Sequence, residues 1–138
     1  PPEMKLLSEG DFTSAWGGIA SLQFGLSIIW TEARKRGFQI TDLGKWMSAN
    51  SAKLVGLENR KGKIAEGFDA DFVVWNPDES FVVEPSNIHH RHKLTPYEGR
   101  TLFGKVHETY LRGNRIFDGG GFSPLIGTAL LKSTSERR

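Results

Sequence analysis

A long helical pattern that stops abruptly constrains this chain more than any other feature. From Gly17 to Arg36, the residues Ile19, Leu22, Leu26, Ile29 and Ala33 recur at spacings of three and four, with Trp30 flanking them. That period puts them on one face of an amphipathic helix and predicts that this face is the one that seeks a core. Arg34, Lys35 and Arg36 fill the last turn, where cations complement the helix dipole. Gly37 follows as a left-handed cap. Thr41 predicts the N-cap of a second helix, with Asp42 in its first turn and Leu43, Trp46 and Met47 as its apolar face. A third short helix is expected around Ser51 to Val55, stopped by Gly56.

After Gly67 the pattern becomes β-type. Asp71–Trp75 and Phe81–Val83 read as two short strands, separated by a turn at Asn76-Pro77-Asp78. Ser86 to Arg100 reads as a long loop. Lys105 to Arg112 alternates, and Arg115-Ile116-Phe117 follows Gly113-Asn114, so a hairpin with a primed turn is expected. Past Gly119-Gly120-Gly121 the chain reads as a surface tail. Helices in one block and about four strands in another make an awkward free-standing domain, with a long loop among the strands. The chain opens on Pro1 rather than Met, and the expectation is a piece of something longer.

Composition removes several functions. There is no cysteine, which excludes disulfides, CxxC redox chemistry and thiolate zinc sites. Eighteen basic residues against sixteen acidic ones leave a net charge of +2, with no case for nucleic acid. No apolar run approaches a membrane span. The compartment is read as cytoplasmic, with an organelle such as the mitochondrion or peroxisome left open. Sixteen glycines in 138 residues exceed the usual share of about 7%, yet four tryptophans and nine phenylalanines suffice to fill a core.

Few residues offer chemistry. His89, His90 and His92 cluster, and His90-x-His92 has a spacing that lets two imidazoles share a metal on a strand. The stretch lies between Pro85 and Pro96 without a carboxylate pair, so a polar loop is the default reading. His107 reads as a surface or interface histidine. Asp69 and Asp71 suit either a cation or, more simply, a turn bonded to its own backbone. Trp16-Gly17-Gly18 precedes the long helix. Two glycines at a helix start let backbone N–H groups approach an anion or carbonyl, or else permit close helix packing. No GxSxG, P-loop, GxGxxG or HExxH occurs.

The run GKIAEGFDADFVVWNP from Gly62 to Pro77 closely resembles the segment that returns from the barrel to the small β-domain in cyclic amidohydrolases. Their pattern there is Gly-x-Ile, then Gly, then Ala-Asp and an apolar strand. Ser48-Ala49-Asn50-Ser51-Ala52-Lys53-Leu54-Val55-Gly56-Leu57 resembles the family's Asn-Pro-Ala-Lys-x-x-Gly-Leu segment, with Ser51 where Pro is common. Thr95 to Arg100, then Gly104-Lys105-Val106 and Thr109, resembles its Pro-Tyr-x-Gly and Gly-x-Val-x-x-Thr stretch. The resemblance covers Asp11 to Phe122. Gly10 to Gln23 looks like the allantoinase branch. Hydantoinases and dihydropyrimidinases tend to carry Asn-Gly where this chain has Gly17-Gly18. Pro1 to Lys5 is similar to the residues just after the family's Ser-Asp-His-Ser-Pro motif.

The resemblance implies an α/β fold: the C-terminal part of a (β/α)8 barrel plus the C-terminal part of a small β-sandwich. The divisions would be 1–60 for the barrel's end, 61–122 for the β-sandwich part and 123–138 for the tail. It implies hydrolysis of the cyclic amide of allantoin to allantoate, with two divalent metal ions, zinc or another, and a homotetramer. The family's ligands (an HxH, a carboxylated lysine, two histidines and an aspartate that serves as general base) would all lie before Pro1. Within this chain the catalytic residues are then none, the metal ligands none, and the substrate-binding residues Trp16, Gly17 and Gly18. The chain alone is expected to be inactive. Two alternatives stand beside it: a hydantoinase or dihydropyrimidinase type of hydrolase, and a catalytically silent relative acting as a scaffold.

Overall fold

The structure, a computed structural model, describes residues 2–11 and 13–130. The last eight residues of the expected tail lie outside the described residues. After a 3-10 turn at Leu22–Phe24 comes helix α1, Gly25–Lys35, then α2, Ile40–Leu43, a π-turn at Gly44–Ala49, and α3, Asn50–Leu54. Three strands follow: β1, Phe72–Val82, β2, Thr101–Leu111, and β3, Asn114–Phe117, in one antiparallel sheet of order β1-β2-β3.

The helix ends follow their glycines. Gly37 takes φ 79, its N–H reaches the carbonyl of Arg34 at 3.2 Å, and the N–H of Phe38 reaches that of Ala33 at 3.1 Å. Gly56, with φ 73, repeats the arrangement: its N–H reaches Lys53 and that of Leu57 reaches Ala52, at 3.1 and 2.8 Å. Both are Schellman closures, which satisfy the orphan carbonyls of the last turn and need the left-handed backbone glycine adopts freely. The start of the second helix differs from expectation by two residues. Gln39 is its N-cap rather than Thr41, because the Asp42 carboxylate reaches back to accept the Gln39 N–H at 3.0 Å.

The start of α1 also moves. Helical bonding begins only around Leu22, so Ile19 stands ahead of the helix and Leu22 sits in its 3-10 lead-in. The buried face is not the expected stripe. Phe24, Ser27, Trp30, Thr31 and Ala33 are buried, whereas Leu22 is 98% exposed and Ile29 is 38% exposed. The reason is the partner. α1 lies on β2, at a place where β1 is irregular: Asn76 pairs with Lys105 and Ser80 with Phe103, so three residues of β1 oppose Gly104 alone. β1 is thus one strand with a bulge at Pro77–Glu79, not two strands parted by a turn. Pro77, which cannot donate to a ladder, sits in that bulge.

Polar side chains of α1 serve the backbone there. The Ser27 hydroxyl donates to the Gly104 carbonyl at 2.7 Å, and Thr31 Oγ1 accepts the Phe103 N–H at 2.8 Å. Trp30 Nε1 and Arg34 Nη1 both donate to the Pro77 carbonyl, at 2.8 and 3.2 Å. Gly104, with φ 90, allows the approach: a Cβ there would stand 2.8 Å from the Trp75 ring and 3.0 Å from Trp30. Two apolar clusters flank these bonds, one of Phe24, Val83, Ile88 and Leu102, the other of Trp30, Ala33 and Leu43. Each draws on helix or lead-in residues and on chain far along the sequence, or packs Trp75 and Phe103 of the sheet against the helices. The expected hairpin is present. Its left-handed pair is Arg112-Gly113, with φ 49 and 78, one position earlier than Gly113-Asn114, since Asn114 already pairs with Leu111.

Candidate functional site

Trp16, Gly17 and Gly18 lie in an irregular segment ahead of the 3-10 lead-in, not at the helix start. Their N–H groups therefore owe nothing to the dipole of α1. The segment is held from behind by the beginning of the chain. Lys5 Nζ donates to the carbonyls of Trp16, Gly17 and Gly18 at 3.0, 2.9 and 2.7 Å, and the Trp16 N–H reaches the Met4 carbonyl at 2.8 Å. Asp11 shapes the turn that leads in. Its Oδ1 accepts the Thr13 hydroxyl at 2.6 Å and the N–H groups of Thr13 and Ser14 at 2.9 and 3.2 Å. Those bonds, the Thr13 hydroxyl first, hold the Asp11 carboxyl far below the usual carboxylate range.

A Cβ at Gly17 or Gly18 would meet no heavy atom within 4 Å, and Gly18 is constrained only by its φ of 88. Close helix packing therefore does not explain them among the described residues. Trp16 is 65% exposed. Just beyond, the chain is tied to the loop that follows β1. Gln23 Nε2 donates to the Asn87 carbonyl, Gln23 Oε1 accepts the His89 N–H, and Thr95 Oγ1 donates to the Ala20 carbonyl, at 2.7, 2.8 and 2.7 Å. This bracing of 20–23 by residues 87–95 was not visible in sequence, because it pairs side chains with backbone some 65 to 75 positions away.

The histidines do not converge. The His89 ring packs edge-on against Phe122 and Phe117, at 5.1 and 5.6 Å between centroids. His90 Nε2 is buried with no hydrogen-bond partner, and His92 is exposed. Among the described residues, no three His, Asp or Glu side chains are grouped to hold a metal ion. A ring packed on phenylalanines and an unpaired buried nitrogen without a carboxylate do not fit a divalent cation. His107 instead meets Glu79 Oε2 at 2.8 Å, beside Lys105 on Glu79 Oε1 at 2.7 Å.

Asp69 and Asp71 do bind a cation, and it is the chain's own. Lys61 Nζ lies between them, 2.8 Å from Asp69 and in contact with Asp71, while Arg60 Nε donates to Asp69 at 2.9 Å. Asp71 Oδ1 also accepts the Arg112 N–H at 2.8 Å. The Lys61 hydrogen bond chiefly lowers the Asp69 carboxyl. For Asp71, partial burial works upward, but Lys61 and the Arg112 N–H outweigh it and the net direction is down. Burial likewise opposes the charge on Lys61, and the two carboxylates overcome it and raise its ammonium. The carboxylates thus close a turn by pairing the loop 60–61 to the hairpin tip, rather than by bonding their own backbone.

The amidohydrolase family pattern matches residues 30–117, and the chain belongs to that family. It is 52% identical over 128 residues to a probable allantoinase 2 of Dictyostelium discoideum, covering 91% of this chain and 25% of that protein. It is 50% identical over 129 residues to an allantoinase of Streptomyces avermitilis, covering 94% of this chain and 29% of that one. Among solved structures it superposes on an L-hydantoinase from Arthrobacter aurescens with a TM-score of 0.80 at 27% identity, over 89% of this chain and 28% of the other. The chain thus spans a quarter to three tenths of the length of these relatives, and its helices and small antiparallel sheet have the α/β fold of that part of an amidohydrolase.

Proposed function

We propose that this chain is the C-terminal part of an allantoinase-type enzyme that hydrolyses the cyclic amide of allantoin to allantoate. The observation that carries this reading is the contrast in identity: 50% and 52% with the two allantoinases over more than nine tenths of the chain, against 27% with the hydantoinase it superposes on. In this reading residues 1–60 end the barrel, 61–122 belong to the small β-domain and 123–138 form the tail. The two divalent metal ions, zinc or another, are held outside these 138 residues, in a homotetramer of the cytoplasm or of an organelle such as the mitochondrion or peroxisome.

What this chain contributes is a substrate-facing edge. At the catalytic end of a barrel the loops after the strands surround the substrate. Trp16, Gly17 and Gly18 form such a loop, with backbone groups to bond the ureide ring and an exposed indole beside it. Gly17 is a clean probe of this assignment. Its φ lies outside the left-handed region and a Cβ there meets no atom of this chain, so a larger residue is accommodated by these 138 residues without strain. Gly17→Val in the complete protein is expected to lower kcat/KM for allantoin roughly tenfold or more, about 1.4 kcal/mol, with metal content unchanged. Unaltered constants per folded, metal-loaded site remove the loop from the active site. The ring is tested by a panel of allantoin, hydantoin, dihydrouracil and dihydroorotate. Allantoin is expected to be turned over best; a preference for hydantoin or dihydrouracil overturns the allantoinase reading in favour of a hydantoinase type. Turnover of none supports the silent scaffold.

A further inference from the structure

Lys5 has an unusual set of partners. An ammonium carries three N–H bonds, and all three go to consecutive carbonyls, those of Trp16, Gly17 and Gly18, at 3.0, 2.9 and 2.7 Å. No carboxylate joins them; no salt bridge of Lys5 occurs among the described residues. A lysine drawn only by surface electrostatics pairs with an acid. This one is saturated by backbone dipoles.

The geometry of the peptide unit gives this grip a consequence. No peptide bond described here is cis. In a trans peptide the carbonyl of one residue and the N–H of the next point in opposite directions. Turning the carbonyls of 16, 17 and 18 toward Lys5 therefore turns the N–H groups of Gly17, Gly18 and Ile19 away from it. None of these three N–H groups finds an acceptor among the described residues. Glycine backbone alone would not hold that orientation, because it populates many conformations. The positive charge on the carbonyl side also polarises each peptide unit, which strengthens the N–H on the other side as a donor.

We propose that Lys5 is the positioning residue of the substrate loop, its ammonium gripping the carbonyls of Trp16, Gly17 and Gly18 so that the opposite N–H groups face the carbonyl oxygens of a cyclic ureide. The inference rests on the assignment of that loop to the substrate. Lys5 itself touches no substrate and acts through the peptide units. Losing it frees the loop to adopt conformations that do not bind, which weakens ground-state binding more than it slows the reaction.

The test uses the complete, metal-loaded enzyme and allantoin. Lys5→Met keeps the stem and removes the donors; Lys5→Arg keeps charge and donors. Lys5→Met is expected to raise KM about tenfold or more with a smaller fall in kcat, and Lys5→Arg to recover most of that loss. Gly17→Val runs beside them to separate two failures. If Gly17→Val impairs turnover and Lys5→Met does not, the loop assignment stands and the role of Lys5 is overturned. If neither changes the constants, the loop assignment falls and this inference with it. A Lys5→Met enzyme that loses only folded fraction, with normal constants per site, makes the lysine a structural clip and overturns the proposal. Should Lys5→Met not fold, Lys5→Gln, which keeps two donors without the charge, is expected to raise KM about threefold; an unchanged KM overturns the proposal as well.

Discussion

A lysine side chain settles two different regions here, by two different chemistries. Lys5 is bound by dipoles and Lys61 by charges. The Lys61 pairing has a pH signature. Asp69 and Asp71 are held below the ordinary aspartate value of about 3.9, so their contribution to stability is full above that value and is lost as pH falls through the depressed folded one. Lys61 is held above the ordinary lysine value of about 10.4, so its contribution is full below that value and is lost as pH rises through the folded one. Denaturant midpoints of the wild type and Lys61→Met are therefore expected to differ most between about pH 4 and pH 10 and to converge at both extremes. A gap that stays constant into acid assigns the lysine a packing role instead. The D-x-D spacing favoured a turn bonded to its own backbone over a place for a cation, and the structure places the cation Lys61 there instead. Which cation it was depended on the loop 57–63 folding back, and no local pattern encodes that.

At the scale of elements, the contact between α1 and β2 decides what the helix buries. Hydrophobic periodicity singles out Ile19, Leu22, Leu26, Ile29 and Ala33, but the side chains that meet the sheet include Ser27 and Thr31. They are 3% and 5% exposed. They are buried because the bulge in β1 leaves the backbone of β2 to be satisfied from the helix. A buried hydroxyl with a partner is inexpensive, whereas a buried N–H without one costs about 1–3 kcal/mol. Thr31→Val, which keeps the shape, is expected to cost that amount in denaturant stability of the complete protein and to speed amide exchange at Phe103. Exchange at Phe103 unchanged from wild type overturns this account. The same contact explains why Pro77 fails to end β1. Its carbonyl is taken by Trp30 and Arg34, so the strand bulges around it and resumes.

For the whole chain, the apolar side chains left over matter as much as those buried. Leu22 is 98% exposed and Ile19 66% exposed, and Phe38, Ile40 and Trp46 are partly exposed. Covering a large apolar side chain is worth roughly 1.5–3 kcal/mol. Three of them uncovered therefore forfeit an amount comparable with a domain's whole stability of about 5–15 kcal/mol. These 138 residues prepared alone are expected to show a broad, weakly cooperative thermal transition; a sharp one in a monomer contradicts this. The same preparation is expected to retain no stoichiometric zinc after dialysis and to hydrolyse none of the four rings. One tightly held zinc per chain, lost on changing His90 and His92 to Ala, overturns that expectation.

Local signals found the helix stops and the hairpin, although they misplaced the N-cap of α2 by two residues and the hairpin's left-handed pair by one. Gly37 and Gly56 close their helices because a left-handed backbone is needed there and glycine supplies it. The hairpin follows from two alternating runs around a short left-handed pair, and the run from Gly62 to Pro77 carried the family. Tertiary structure alone decided the buried face of α1, the continuity of β1 through Pro77, the partner of Asp69 and Asp71, and the grip of Lys5 on the glycine loop. Each of these satisfies a backbone dipole or a partly buried charge with a group from elsewhere in the chain. Periodicity records how apolar a face is, but it carries no information about which distant carbonyl or N–H needs a partner, and that need fixed the arrangement.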